Sequence, residues 1–78
     1  MKDTIHLAKA VKVHRKKANL SQKALADYAG VGKTAVFDLE HGKTTMQFDT
    51  ILKILNVLNI TLSINTPIPI DESTHETS

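Results

Sequence analysis

The chain has three glycines, all within thirteen positions, at 30, 32 and 42. Glycine enters the left-handed backbone region without the clash that a Cβ brings, so it stops helices cleanly. Gly30 therefore closes one helix and Gly42 the next, leaving only Val31 and Gly32 as the turn between them. The first helix of the pair spans residues 22–29, with the Ser21 hydroxyl as its N-cap and Ala24, Leu25 and Tyr28 on a shared side. The second spans residues 33–41. Two short helices joined by so tight a turn match the spacing of a helix-turn-helix.

The rest of the chain frames this pair. An earlier helix is predicted from Thr4, capped by Asp3, with Leu7, Val11 and His14 recurring at i, i+4 and i+7, and Asn19 breaking the pattern near its end. A fourth helix over residues 48–58 carries Ile51, Leu52, Leu55 and Leu58 on one broad face, with Asn59 in place of a closing glycine. The period then changes from helical to two. Ile60, Leu62 and Ile64 alternate with Thr61, Ser63 and Asn65, the pattern of a strand buried on one face. Pro67 and Pro69 forbid further ladder pairing. Residues 71–78 contain no apolar side chain and cannot support a core, so a flexible polar tail is expected over 66–78. One strand alone leaves its backbone groups unpaired, and pairing with the same strand of a second copy across a two-fold axis satisfies them.

Seventy-eight residues make one small domain, which buries only about 60% of the surface its unfolded chain exposes. Such folds usually need a disulfide, a metal or a partner chain. The absence of cysteine removes disulfides and thiolate zinc sites, and the four histidines (6, 14, 41, 75) show no ligand spacing, which leaves the partner chain. The net charge of +2 is unevenly spread. Residues 1–43 hold nine Lys and Arg against four acids, net +5, whereas residues 44–78 hold one against four, net −3. The front half suits a polyanion. No apolar run approaches a membrane span and no signal-peptide core follows the amino terminus, so a cytoplasmic protein is expected.

The helix over 33–41 splits into two faces. Val36 and Leu39 face inward, while Lys33, Thr34, Phe37, Asp38 and His41 form the opposite side, whose donors, acceptor and aromatic ring suit base edges in a major groove. The run LSQKALADYAGVGKTAVFDLEHGK, residues 20–43, resembles the helix-turn-helix of the Cro/C1-type (Xre) repressors. Helix four followed directly by ITLSI and a polar tail resembles, more narrowly, the HipB-type antitoxins. The resemblance implies an all-α, lambda-repressor-like domain of four helices over residues 1–65, with a short terminal strand paired across a homodimer. It implies a bacterial repressor of its own operon that binds a palindromic double-stranded operator and a HipA-type Ser/Thr kinase toxin, with no cofactor. Lys33, Thr34, Phe37 and Asp38 match base-reading positions. Gln22 matches a glutamine that touches the DNA backbone and braces the recognition helix, Lys43 and Thr44 match phosphate contacts, and Arg15 with Glu40 matches a structural ion pair. Ile60, Leu62 and Ile64 fall on the dimerisation strand. His14 stands where the family has an aliphatic residue, so a partly buried, hydrogen-bonded histidine is expected. Gly32 and Gln47 replace the family's usual Ser/Thr caps, at a cost of a few tenths of a kcal/mol for the glycine.

Other chemistry fits poorly. Gly32-Lys33-Thr34 imitates the end of a P-loop, but Asp27 occupies the position of its first glycine and no strand precedes it. No nucleophile–base–acid set and no paired carboxylates are apparent, so the chain is expected not to be an enzyme. Two alternatives to the antitoxin stay open: a stand-alone Cro/C1-type regulator, and a protein-interaction inhibitor that no longer binds DNA.

Overall fold

The computed structural model describes residues 2–63 and 67–68. Four helices follow one another, α1 Lys2–Lys17, α2 Gln22–Ala29, α3 Lys33–Glu40 and α4 Phe48–Val57. Helix α1 starts two residues before the predicted Thr4, so Asp3 lies inside its first turn and is not the cap. Neither Lys2 nor Asp3 breaks a helix, and their propensity deficit is under about 0.7 kcal/mol each, too small to stop it. The last turn of α1 carries Arg15, Lys16 and Lys17, cations placed on the negative end of the helix dipole.

All four helices stop by the same device. Asn19, Gly30, Gly42 and Asn59 have φ of 59°, 74°, 81° and 57°. In each case the next amide reaches back five residues: Leu20 to the Arg15 carbonyl at 3.1 Å, Val31 to Ala26 at 3.0 Å, Lys43 to Asp38 at 2.9 Å and Ile60 to Leu55 at 3.0 Å. This is the Schellman arrangement, which satisfies carbonyls a helix end would otherwise orphan. At the amino end of α2 the Ser21 hydroxyl accepts from the Ala24 amide at 2.9 Å. Helices α3 and α4 begin at Gly32 and Gln47 with no side-chain cap bond.

Helix α3 is the hub, packing on α1, α2 and α4. Its Val36 and Leu39 are fully buried, as the two-faced pattern predicts, and meet Val11, Leu25, Ala26, Ile51, Ile54, Leu55 and Leu58 in a single core. Three predicted inward positions differ. On α2 the buried pair is Leu25 and Ala26, and Tyr28 is 72% exposed. The face is rotated by one residue, about 100°, which points small side chains at the crossing helices and leaves the phenol in water. On α4, Ile54 is buried in place of Leu52, because α2 and α3 together cover only one side of an apolar helix. On α1, Ala8, Val11 and Arg15 face in, while His14 is exposed with its Nδ1 donating to the Ala10 carbonyl at 2.7 Å.

Beyond α4, Ile60 packs on the core, but Leu62 is 48% exposed. Residues 60–63 form no strand, the described residues offer them no ladder partner, and Ile64 lies outside the described residues. Phe48, Leu52, Leu55, Asn56, Ile60 and Leu62 line a groove between α4 and this segment. Of the tail predicted over 66–78, only residues 67–68 are described.

The shared helix stop yields a stability test. A Cβ at Gly30 meets nothing within 4 Å, so the cost of Gly30→Ala is the left-handed backbone alone, roughly 1–2 kcal/mol. Gly30→Asn should cost less, since asparagine already holds the equivalent place at 19 and 59. Gly32→Ser, at φ −74° and ψ 149°, should gain a few tenths of a kcal/mol as a proper cap. Urea unfolding of the three variants ranks them.

Candidate nucleic-acid interface

The geometry of the outer face of α3 is fixed from behind. Arg15 on α1 is 9% exposed, and its guanidinium grips Glu40 at the end of α3 with two bonds, Nε to Oε2 at 2.6 Å and Nη2 to Oε1 at 3.1 Å. Its Nη1 donates to the Leu20 carbonyl at 2.8 Å, in the turn between α1 and α2. Gln22, in the first turn of α2, donates from Nε2 to Glu40 Oε1 at 3.2 Å. One carboxylate, its side chain 2% exposed, thus ties α1, α2 and α3 together. Burial pushes the Glu40 carboxyl up, but hydrogen bonds from Arg15 and Gln22, with the charges of Arg15 and Lys12, more than reverse this and hold it below the ordinary glutamate value. The bond to Glu40 holds Arg15 more firmly protonated, against its own burial. Among the described residues no buried side-chain nitrogen or oxygen lacks a partner.

Held in this way, α3 turns Lys33, Thr34 and Phe37 outward, with Asp38 half-buried beside them. Lys43 and Thr44 are exposed just past the closing turn. Phe37 is 47% exposed, and its ring stacks on that of His41 with centroids 4.1 Å apart and planes inclined at 29°. His41 is anchored in turn, its Nδ1 donating to the Phe37 carbonyl at 2.7 Å. Lys9, Lys12, Lys16 and Lys17 on α1 are exposed as well. No acid stands in the first turn of α3, so its positive dipole end and Lys33 act together. No helix among the described residues is long and apolar enough to cross a membrane, and no three metal-binding side chains converge among them.

A helix-turn-helix family model (HTH_3) matches residues 11–65, from the middle of α1 through the segment after α4. An uncharacterized HTH-type transcriptional regulator, y4mF, of Sinorhizobium fredii (strain NBRC 101917 / NGR234) is 42% identical over 57 residues, 73% of this chain and 75% of that protein. The chain belongs to the Cro/C1-type (Xre) helix-turn-helix family.

In this Cro/C1-type chain the structure brings Arg15, Glu40 and Gln22 into one cluster and puts Lys33, Thr34, Phe37 and Asp38 on one helix. Two features were not anticipated. Glu40 is a three-way junction that includes the Leu20 turn through Arg15, and His41 is the ring on which Phe37 rests. The second had a visible signal, because residues i and i+4 are neighbours on a helix surface. The first had none in the sequence, since the Leu20 contact is made by a backbone carbonyl.

The ion pair gives two checks. Removing one partner by Glu40→Leu should cost about 3–5 kcal/mol, because it strands a buried guanidinium, whereas Arg15→Met with Glu40→Leu should lose less than either single change. Glu40 has a lowered folded-state pKa, so its contribution is full above its unfolded value of about 4.5 and is lost as pH falls through the lower folded value. Melting temperature should therefore drop in acid more steeply for the native chain than for Glu40→Gln.

Proposed function

We propose that this chain is a sequence-specific transcriptional repressor that works as a homodimer on a palindromic operator in the bacterial cytoplasm. The observation that carries this reading is α3: two buried residues fix it on three helices while a face of cation, hydroxyl, ring and carboxylate stays open. Lys33 donates to guanine O6 and N7, Asp38 accepts from a base amino group, Thr34 bonds a base or phosphate, and Phe37 packs on a base. Gln22, Lys43 and Thr44 contact the backbone and set the register. The chain acts by binding and not by catalysis.

The dimer rests on the groove beside residues 60–63. Phe48 and Leu52 on α4 and Leu62 beyond it are 62%, 42% and 48% exposed, an apolar set left open by the described residues. Pairing of Ile60, Leu62 and Ile64 with the same strand of a second copy satisfies the backbone and covers this set together. The two recognition helices then enter successive major grooves about 34 Å apart.

Within this reading the chain is a HipB-like antitoxin that represses its own operon and binds a HipA-like Ser/Thr kinase toxin. Support comes from α4 passing directly into the alternating segment ITLSI, followed by an acidic back half that suits a protein partner better than DNA. A stand-alone regulator has the same DNA face but no kinase complex.

Titration against its upstream DNA at several salt concentrations should give a steep negative slope of log affinity against log salt. Lys33→Ala should relax specificity at one base pair, while Lys43→Ala should weaken all sequences alike and flatten the slope by about one. Equal loss on every sequence from both changes contradicts the roles assigned. Sedimentation should show a dimer that Leu62→Asp converts to monomer. Co-expression with a kinase encoded beside it should yield a stable complex, and its absence leaves the stand-alone regulator.

A further inference from the structure

We propose that Phe37, braced by His41, is a reader of the 5-methyl group of pyrimidines, so that operator affinity depends on thymine methyls at one position of each half-site. The proposal rests on the DNA-binding reading above and names the chemistry that one of its residues recognises.

Phe37 is the only aromatic side chain on α3 and stays 47% exposed while Val36 and Leu39, its immediate neighbours inward, are fully buried. Its ring has no hydrogen-bonding atom, so it gains nothing from the donors and acceptors that distinguish base pairs in the major groove. The one apolar group on those edges is the C5-methyl of thymine, and the same position in cytosine carries a hydrogen. A flat apolar ring pointing out of a recognition helix therefore discriminates by methyl burial.

Discrimination also needs a ring that does not swing away. The stack on His41 covers one side of Phe37, with centroids at 4.1 Å and planes at 29°. The imidazole is fixed in its turn, because a carbonyl only accepts, so Nδ1 carries the proton donated to the Phe37 carbonyl at 2.7 Å. The backbone amide of His41 reaches the same carbonyl at 3.2 Å. Both rings thus hang from the last turn of α3, whose end is held by the Glu40 junction. His41 is a positioning residue here: it orients the ring that touches the methyl. Lys33 and Lys43, exposed at either end of the helix, supply the charge that brings duplex DNA to this face.

The test uses the full chain and duplex DNA from upstream of its own reading frame, with the protected region located by footprinting. Each thymine in that region is replaced in turn by uracil, which removes the methyl and leaves the hydrogen-bonding edge unchanged. Affinity should fall about fourfold for the change in one half-site, the worth of one buried methyl, and about fifteenfold when both symmetric positions are changed. Phe37→Ala should abolish the difference between the thymine and uracil duplexes, and His41→Ala should shrink it while His41→Phe restores it. Because Phe37 is exposed, circular dichroism should report native helix content for its variant. Indifference to uracil at every position, or the same thymine preference in Phe37→Ala, overturns the methyl reader while leaving DNA binding intact. Failure to protect any upstream DNA, with a folded chain, overturns the DNA-binding reading itself.

Discussion

One buried ion pair organises this domain. Arg15 and Glu40 are twenty-five residues apart, and their contact closes α1 onto the far end of α3. A buried pair of this kind contributes little net stability when compared with apolar residues of the same size. What it does contribute is position. The guanidinium has five N–H donors in a rigid fork, and here the fork reaches both carboxylate oxygens and a turn carbonyl. With Gln22 adding a fourth bond, the end of α3 is tied to both helices behind it.

The helix stops serve the same end. Four left-handed residues terminate the four described helices with one hydrogen-bond pattern. Short helices make α3 accessible: at eight residues it packs on three neighbours through Val36 and Leu39 and still presents a complete outer face. The stacked rings of Phe37 and His41 sit on that face, at the end that the ion pair pins. Packing from behind and an open polar face in front are two sides of one two-turn helix.

Much of this was legible in the chain. Glycine at 30 and 42 and asparagine at 19 and 59 announced the four helix ends, because left-handed backbone is a property of single residues. Val36 and Leu39 were legible as core, and the outer residues of α3 as solvent-facing, because three-residue spacing defines a face without reference to anything else. The misplaced residues share a cause. Tyr28, Leu52 and His14 lie beside apolar stripes, and periodicity alone cannot say how far such a stripe extends when the neighbours that cover it come from elsewhere in the chain. Arg15 reads as a surface cation in any local window, and only Glu40 makes it a core residue. The segment 60–63 shows the converse: its alternation is plain, but a ladder is made by two strands, and no strand forms among the described residues.

By itself, then, the sequence determined where helices stop, which side of α3 is apolar, that the front half is basic, and that the Leu20–Lys43 run belongs to a helix-turn-helix; these are properties of single residues and of short-range spacing. The tertiary structure alone decided that the Leu20 carbonyl joins Arg15, Gln22 and Glu40 in one junction, that Ile54 and not Leu52 enters the core, and that the Phe37 ring rests on His41. Those facts depend on the crossing of helices far apart in the chain, and a crossing is set by the whole core at once, not by any segment of it.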